Sequence, residues 1–96
     1  MRVAKAVLDF FRAWAKEIAP EARLFLFGSR NDDSRKGGDI DILVLTARRL
    51  PARVLRQARI RFRKTFGEQR IDLVNFTLAD PSPFKKLAIL EGTEFS

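Results

Sequence analysis

Asp39-Ile40-Asp41-Ile42-Leu43-Val44-Leu45-Thr46 opens with two carboxylates separated by one residue and then turns wholly apolar. The run is too short for a helix and rich in the β-branched and aliphatic residues that suit a pleated surface, so it reads as a strand. Side chains alternate across a strand. Ile40, Ile42 and Val44 therefore share one face, with Asp39, Asp41, Leu43 and Leu45 on the other. Two carboxylates on one face stand roughly 6.5–7 Å apart along the chain. They repel each other, and a fold tolerates that best with a cation between them. An isolated Asp-X-Asp reads equally well as a solvated strand start.

Upstream, Arg23 to Phe27 is mostly apolar and is expected to be a short strand buried on both faces. Gly28 to Gly38 is a polar loop. Before it, Val3, Val7, Phe10, Phe11, Trp14 and Ile18 recur at three- and four-residue steps, which predicts an amphipathic helix over Val3–Ala19 that Pro20 ends. Downstream, Val54, Leu55, Ala58, Phe62 and Phe66 fall on one arc of a second helix over Pro51–Phe66, with Gly67 as its C-cap. Ile60 falls on that helix's basic side. Arg70 to Phe76 predicts a third strand, and Pro83 to Leu90 a short helix ending at Gly92. The order helix–strand–loop–strand–helix–strand–helix defines an α/β (α+β) protein, a small mixed sheet of about three strands flanked by helices. Residues 1–96 are expected to form a single domain, because a chain of this size has room for one core.

An acid stands inside the third strand: Asp72, between Ile71 and Leu73, where strand propensity disfavours it. It faces either solvent on an edge strand or a site. If the third strand lies beside the second, Asp72 joins Asp39 and Asp41. Three carboxylates on adjacent strands can hold two Mg²⁺ ions roughly 3.5–4 Å apart, the arrangement that clamps both ends of an in-line phosphoryl displacement. Gly28-Ser29, at the end of the first strand, offers backbone N–H groups and a hydroxyl to an anion. Most Gly-Ser pairs are simply turns.

Composition narrows the chemistry further. The 96 residues contain no His, Cys or Tyr. Imidazole and thiolate are excluded as nucleophile, base or metal ligand, so a bound metal must be a hard cation held by oxygen. Absence of cysteine, of a membrane-length apolar run and of a signal-peptide pattern is what a cytoplasmic protein would have. The net charge of +7 is local. Arg48, Arg49, Arg53, Arg56, Arg59, Arg61, Arg63 and Lys64 account for it, since the other eleven basic residues face twelve acids. Such a helix is either a solvated face or a contact for an acidic partner or a nucleic acid. It has no aromatic residue on its polar side to stack bases, so direct nucleic-acid binding finds little support. Trp14 and the phenylalanines stand at core spacing.

Leu26-Phe-Gly-Ser-Arg30, nine further residues, and then Asp39-Ile-Asp-Ile-Leu-Val44 resemble the signature of the DNA polymerase beta-like nucleotidyltransferase superfamily, above all its minimal nucleotidyltransferases. Ile71-Asp-Leu-Val74 is similar to that family's third-acid strand, and Leu90-Glu-Gly-Thr-Glu-Phe95 to its usual tail. The resemblance implies the nucleotidyltransferase fold and a Mg²⁺-dependent transfer of a nucleotide from ATP. It implies nucleotide contacts from Gly28, Ser29 and Arg30, two Mg²⁺ ions held by Asp39, Asp41 and Asp72, and an acceptor-side role for Asp72. It also implies a partner, a HEPN-type toxin that the chain silences as an antitoxin by adding AMP units.

Two other functions compete with this one. The chain could be a non-catalytic antitoxin that blocks its toxin by contact, or a nucleotidyltransferase acting on a small molecule or RNA end. The presence of all three acids favours catalysis over a pure binder. The small size leaves no second substrate domain, so acceptor recognition is expected from another chain or a second copy.

Overall fold

The computed structural model describes residues 3–27, 40–67 and 69–96. Its elements are α1 (Lys5–Ile18), β1 (Arg23–Phe27), β2 (Ile40–Thr46), α2 (Ala52–Phe66), β3 (Ile71–Thr77), α3 (Pro83–Glu91) and β4 (Thr93–Glu94). The helices and the first three strands fall within two residues of their expected limits. β4 was not expected.

The strands form one mixed sheet in the order β3-β2-β1-β4. β1 runs antiparallel to β2 and to β4, while β2 and β3 are parallel and joined through α2. The central pair is buried on both faces, as the apolar runs require. On one face Leu24, Leu26, Ile40, Ile42, Val44 and Leu73 pack against α1 and α2. The periodic aromatics of those helices meet there: Phe11 stacks on Phe62 at 5.5 Å, and Phe10 meets Phe62 and Phe66 edge-on. On the opposite face Phe25, Leu43 and Leu45 pack against Ala88 of α3.

α1 carries exposed Lys5–Asp9 and Asp9–Arg12 ion pairs along its outer side. α2 ends with Arg63 and Lys64 in its last turn, where cations favour the helix dipole. Its C-cap, Gly67, has φ 73°, a conformation natural to glycine and costly for other residues. Ser82 caps α3, its hydroxyl accepting from Lys85 N, and Pro83 follows in the first turn. Gly92 lets the end of α3 approach β1: a Cβ there would meet the Ala88 carbonyl oxygen and lie 2.9 Å from that of Leu26. No described helix is long and apolar enough to cross a membrane.

The chain's last residues close the free edge of β1. Phe95 N donates to Leu24 O at 2.9 Å, and Leu24 N donates to the Ser96 hydroxyl at 2.7 Å. The Phe95 ring is buried in the core, and its carbonyl accepts from Arg12 Nε at 2.6 Å. Arg23 grips Glu94 with two bonds, at 2.9 and 2.8 Å. That guanidinium first, and then the Ser96 hydroxyl, pull the Glu94 carboxyl from its ordinary 4.5 to about 2. A lowered folded value means that the ion pair's contribution is complete above the ordinary range and fades as pH falls toward about 2. The melting-temperature difference between the wild type and Glu94→Gln is therefore expected to stay constant above about pH 5 and to shrink below it. Equal slopes for both proteins down to acid pH would refute the assignment.

Candidate functional site

Parallel pairing sets the register at the start of β2 and β3: Ile40 opposes Ile71, Asp41 opposes Asp72, and Ile42 opposes Leu73. Ile40 N donates to Arg70 O at 3.0 Å, which extends the ladder one step beyond Ile71. Alternation then puts both carboxylates on one face, the α3 face, because Ile40, Ile42 and Leu73 belong to the core under α1 and α2. Neighbouring strands are about 4.8 Å apart. Asp41 and Asp72 thus stand side by side, Asp41 half-buried and Asp72 exposed. On β1, Phe27 opposes Asp41, so the row across the sheet runs Phe27, Asp41, Asp72.

An aromatic wall borders this row. Phe84 of α3 meets Phe27 edge-on at 5.4 Å and tilts against Phe76 at 5.9 Å. Its position follows from the start of α3, which Lys85 anchors: the buried ammonium donates to Thr77 O at 3.2 Å and Leu78 O at 3.0 Å. Neither Phe84 nor Lys85 stood out in the sequence; the Ser82-Pro83 start of the helix was the available signal.

What fixes the register lies at the other end of the pair. Asn75 of β3 is buried, and its amide donates to Val44 O and to the Thr46 hydroxyl, both at 3.0 Å. Its side-chain oxygen accepts from Leu50 N at 2.7 Å, which ties down the turn into α2. A slip of one residue would strand this amide in the core and turn Asp72 to the other face.

Of the six residues singled out in the sequence, Asp41 and Asp72 are brought together. Gly28, Ser29, Arg30 and Asp39, with the rest of loop 30–38, lie outside the described residues. Among the described residues no group of three or more possible metal ligands gathers. The donor set that is described, two adjacent carboxylates with no imidazole or thiolate in the chain, has the chemistry of a hard divalent cation's site.

Adjacent carboxylates at the start of parallel strands are a donor set that metal-assisted phosphoryl transfer uses. The family model of the nucleotidyltransferase domain matches residues 8–95, and the chain belongs to that family. Among the solved structures that share its fold are two toxin–antitoxin complexes. One is a mutant of the toxin–antitoxin complex MntA–HpeT, with TM-score 0.70, 20% identity, and coverage of 93% of this chain and 71% of that one. The other is a tri-AMPylated Shewanella oneidensis HEPN toxin in complex with MNT antitoxin, with TM-score 0.67, 20% identity, and coverage of 96% and 71%. No curated protein sequence matches.

Asn75 and Asp72 separate structure from chemistry. Asn75→Leu leaves Leu50 N without its acceptor inside the protein and is expected to cost about 1–3 kcal/mol. Asp72→Asn removes one of two negative charges at neighbouring strand positions, at an exposed residue, and is expected to change stability by less than about 0.5 kcal/mol, or to raise it. Urea denaturation of both variants tests this, and unfolding of Asp72→Asn would make the acid structural.

Proposed function

We propose that the chain transfers AMP from ATP to a hydroxyl of a partner protein, a HEPN-type toxin that it silences as an antitoxin. The observation that carries this reading is the register of Asp41 beside Asp72 on one face of the sheet, in a chain that belongs to the nucleotidyltransferase family. The family supports a transferase. The AMP units and the toxin partner rest on the two solved complexes that share the fold, one of them holding a tri-AMPylated toxin.

In this reading Asp41 and Asp72, with Asp39, form an oxygen-only site for magnesium, and Gly28, Ser29 and Arg30 hold the triphosphate. The bound metal would supply charge neutralisation at the phosphates and a lowered pKa for the acceptor hydroxyl. The acceptor oxygen forms a bond to the α-phosphorus, and the bond from that phosphorus to the β-bridging oxygen breaks. Pyrophosphate leaves with the electron pair, and the hydroxyl proton passes to solvent. The chain has no phenol, imidazole or thiol to take part. Its contribution is to fix the carboxylates in register and the acceptor in line, and such positioning supplies much of the rate in phosphoryl transfer. The Phe27–Phe84–Phe76 wall gives the acceptor an apolar surface beside the acids.

Purified protein mixed with its HEPN-type toxin, Mg²⁺ and ATP is expected to add AMP masses to the toxin by intact-mass spectrometry. Asp72→Asn should reduce the rate at least about 100-fold, and chelation of Mg²⁺ should abolish transfer. A stable complex to which the wild-type protein adds no mass would favour the contact-only antitoxin. Equal ATP binding with and without Mg²⁺ in a calorimetric titration would remove the metal from the reading.

A further inference from the structure

Between Asp41 and Glu68 the sequence has no acid, yet eight cations stand there, six of them in α2: Arg53, Arg56, Arg59, Arg61, Arg63 and Lys64. α1 is built differently, with Lys5 and Arg12 both paired to Asp9. Among the described residues the only ion pair of an α2 cation is Arg61 with Glu17, at 3.8 Å. Arg59 is turned toward β3, where it donates to Leu73 O.

Burial shows which way the rest point. Ala58 and Phe62 are buried, with Val54, Leu55 and Phe66 half-buried beside them, which fixes the inward arc of α2. At about 3.6 residues per turn, Arg53, Gln57, Ile60 and Lys64 form the opposite, outward stripe, about 16 Å long. All four are exposed, Ile60 by 49%. Helical neighbours stand three and four residues apart, and for Ile60 these are Arg56, Gln57, Arg63 and Lys64. The cations run against helix stability. Arg53 lies in a first turn that holds no acid, where a cation opposes the helix dipole. Arg53 with Arg56, and Arg59 with Arg63, are like charges at helical-neighbour spacing. A helix that only covered a core would gain from acids at these exposed positions.

The pattern selects among partners. Cations alone suit any polyanion, a nucleic-acid backbone included. An exposed branched aliphatic side chain ringed by cations suits a protein, because an apolar centre with a polar, Arg-rich rim is how protein interfaces are built. Bases stack on aromatic rings, and the outward stripe has none. A second copy presenting the same face would set cation against cation.

We propose that the outward face of α2 docks an acidic protein surface whose apolar centre receives Ile60. The partner is the toxin of the proposed function, and the inference rests on that choice of partner. α2 covers the sheet face opposite Asp41 and Asp72, so this contact is made apart from the acids. It governs capture of the toxin and not the chemical step.

The test follows association of the full chain with purified toxin by stopped flow, without ATP. Arg53→Glu/Arg56→Glu is expected to lower kon at least about tenfold at low salt and to flatten its salt dependence. Both positions are exposed and near the helix N-terminus, where Glu suits the dipole, so the fold is kept. Ile60→Ala is expected to raise koff at least about fivefold. Lys5→Glu/Lys16→Glu makes the same change of net charge on α1 and is expected to alter neither rate by more than about twofold. With Mg²⁺ and ATP, the α2 variants are expected to raise KM for the toxin and leave kcat unchanged. Unchanged association of the α2 variants, equal loss from the α1 variant, or no complex with the wild type overturns the proposal. So does a short RNA duplex whose binding depends on Arg53 and Arg56 while toxin association does not. A complex that depends on the α2 face but gains no AMP mass sinks the proposed transfer and leaves the docking surface standing.

Discussion

The fixed pairing of β2 with β3 is the constraint on which everything else depends. β2 lies between two partners and under helices on both faces, so six of its seven residues are buried. Such a strand has no freedom to slide, because each step would exchange the side chains of two cores. Its one polar side chain before the terminal threonine, Asp41, is at the end where the strand begins. The acid pair is therefore anchored by an apolar strand that cannot move and by one amide, Asn75, that bonds β2 and the turn into α2 together. Rigid support of this kind is what positioning chemistry requires.

The outer strands are protected in different ways. β3 is an edge, and its outward-facing groups are met by side chains. Arg59 donates to Leu73 O, Arg49 makes a long 3.5 Å contact with Asn75 O, and Asp80 accepts from Thr77 N. Lys85 completes the series at Thr77 O. Charged side chains seated on an edge oppose pairing with another strand. The other edge is closed by the chain's own residues 93–96, through backbone pairing, the Arg23–Glu94 bonds and the buried Phe95 ring. Contacts by edge pairing with a second copy are disfavoured on both sides, which leaves helix faces and the acid-bearing face for partners.

Long periodic segments were legible from the sequence because one signal, burial, dominates them. α1 and α2 were placed by their apolar arcs, and the exposure of Ile60 follows from its position on the basic side. β4 was not legible: Thr93-Glu94 carries no pattern of its own and becomes a strand only through Phe25 and Leu26. Asn75 looked like an ordinary polar residue in a strand, since its partners Val44, Thr46 and Leu50 are distant in the chain. For the acids, alternation gave the face of each, but a parallel register between strands separated by a helix leaves no local trace. The pairing of Asp41 with Asp72 needed the fold.

The two faces of the sheet divide the work unequally, and the division bears on the chemistry. α1 and α2 cover one face with an aromatic cluster that supplies most of the core. α3 covers the other with nine residues, of which only Lys85 and Ala88 are buried, while Leu87 and Leu90 remain 51% and 82% exposed. So light a cover contributes little apolar burial. Complete cover, however, would take the Asp41 and Asp72 carboxylates further out of water, and dehydrating charged groups costs several kcal/mol each. The carboxylates and a thick hydrophobic layer compete for the same face. Among the described residues the competition is resolved by placing the core beneath the sheet and covering the acid face only with α3.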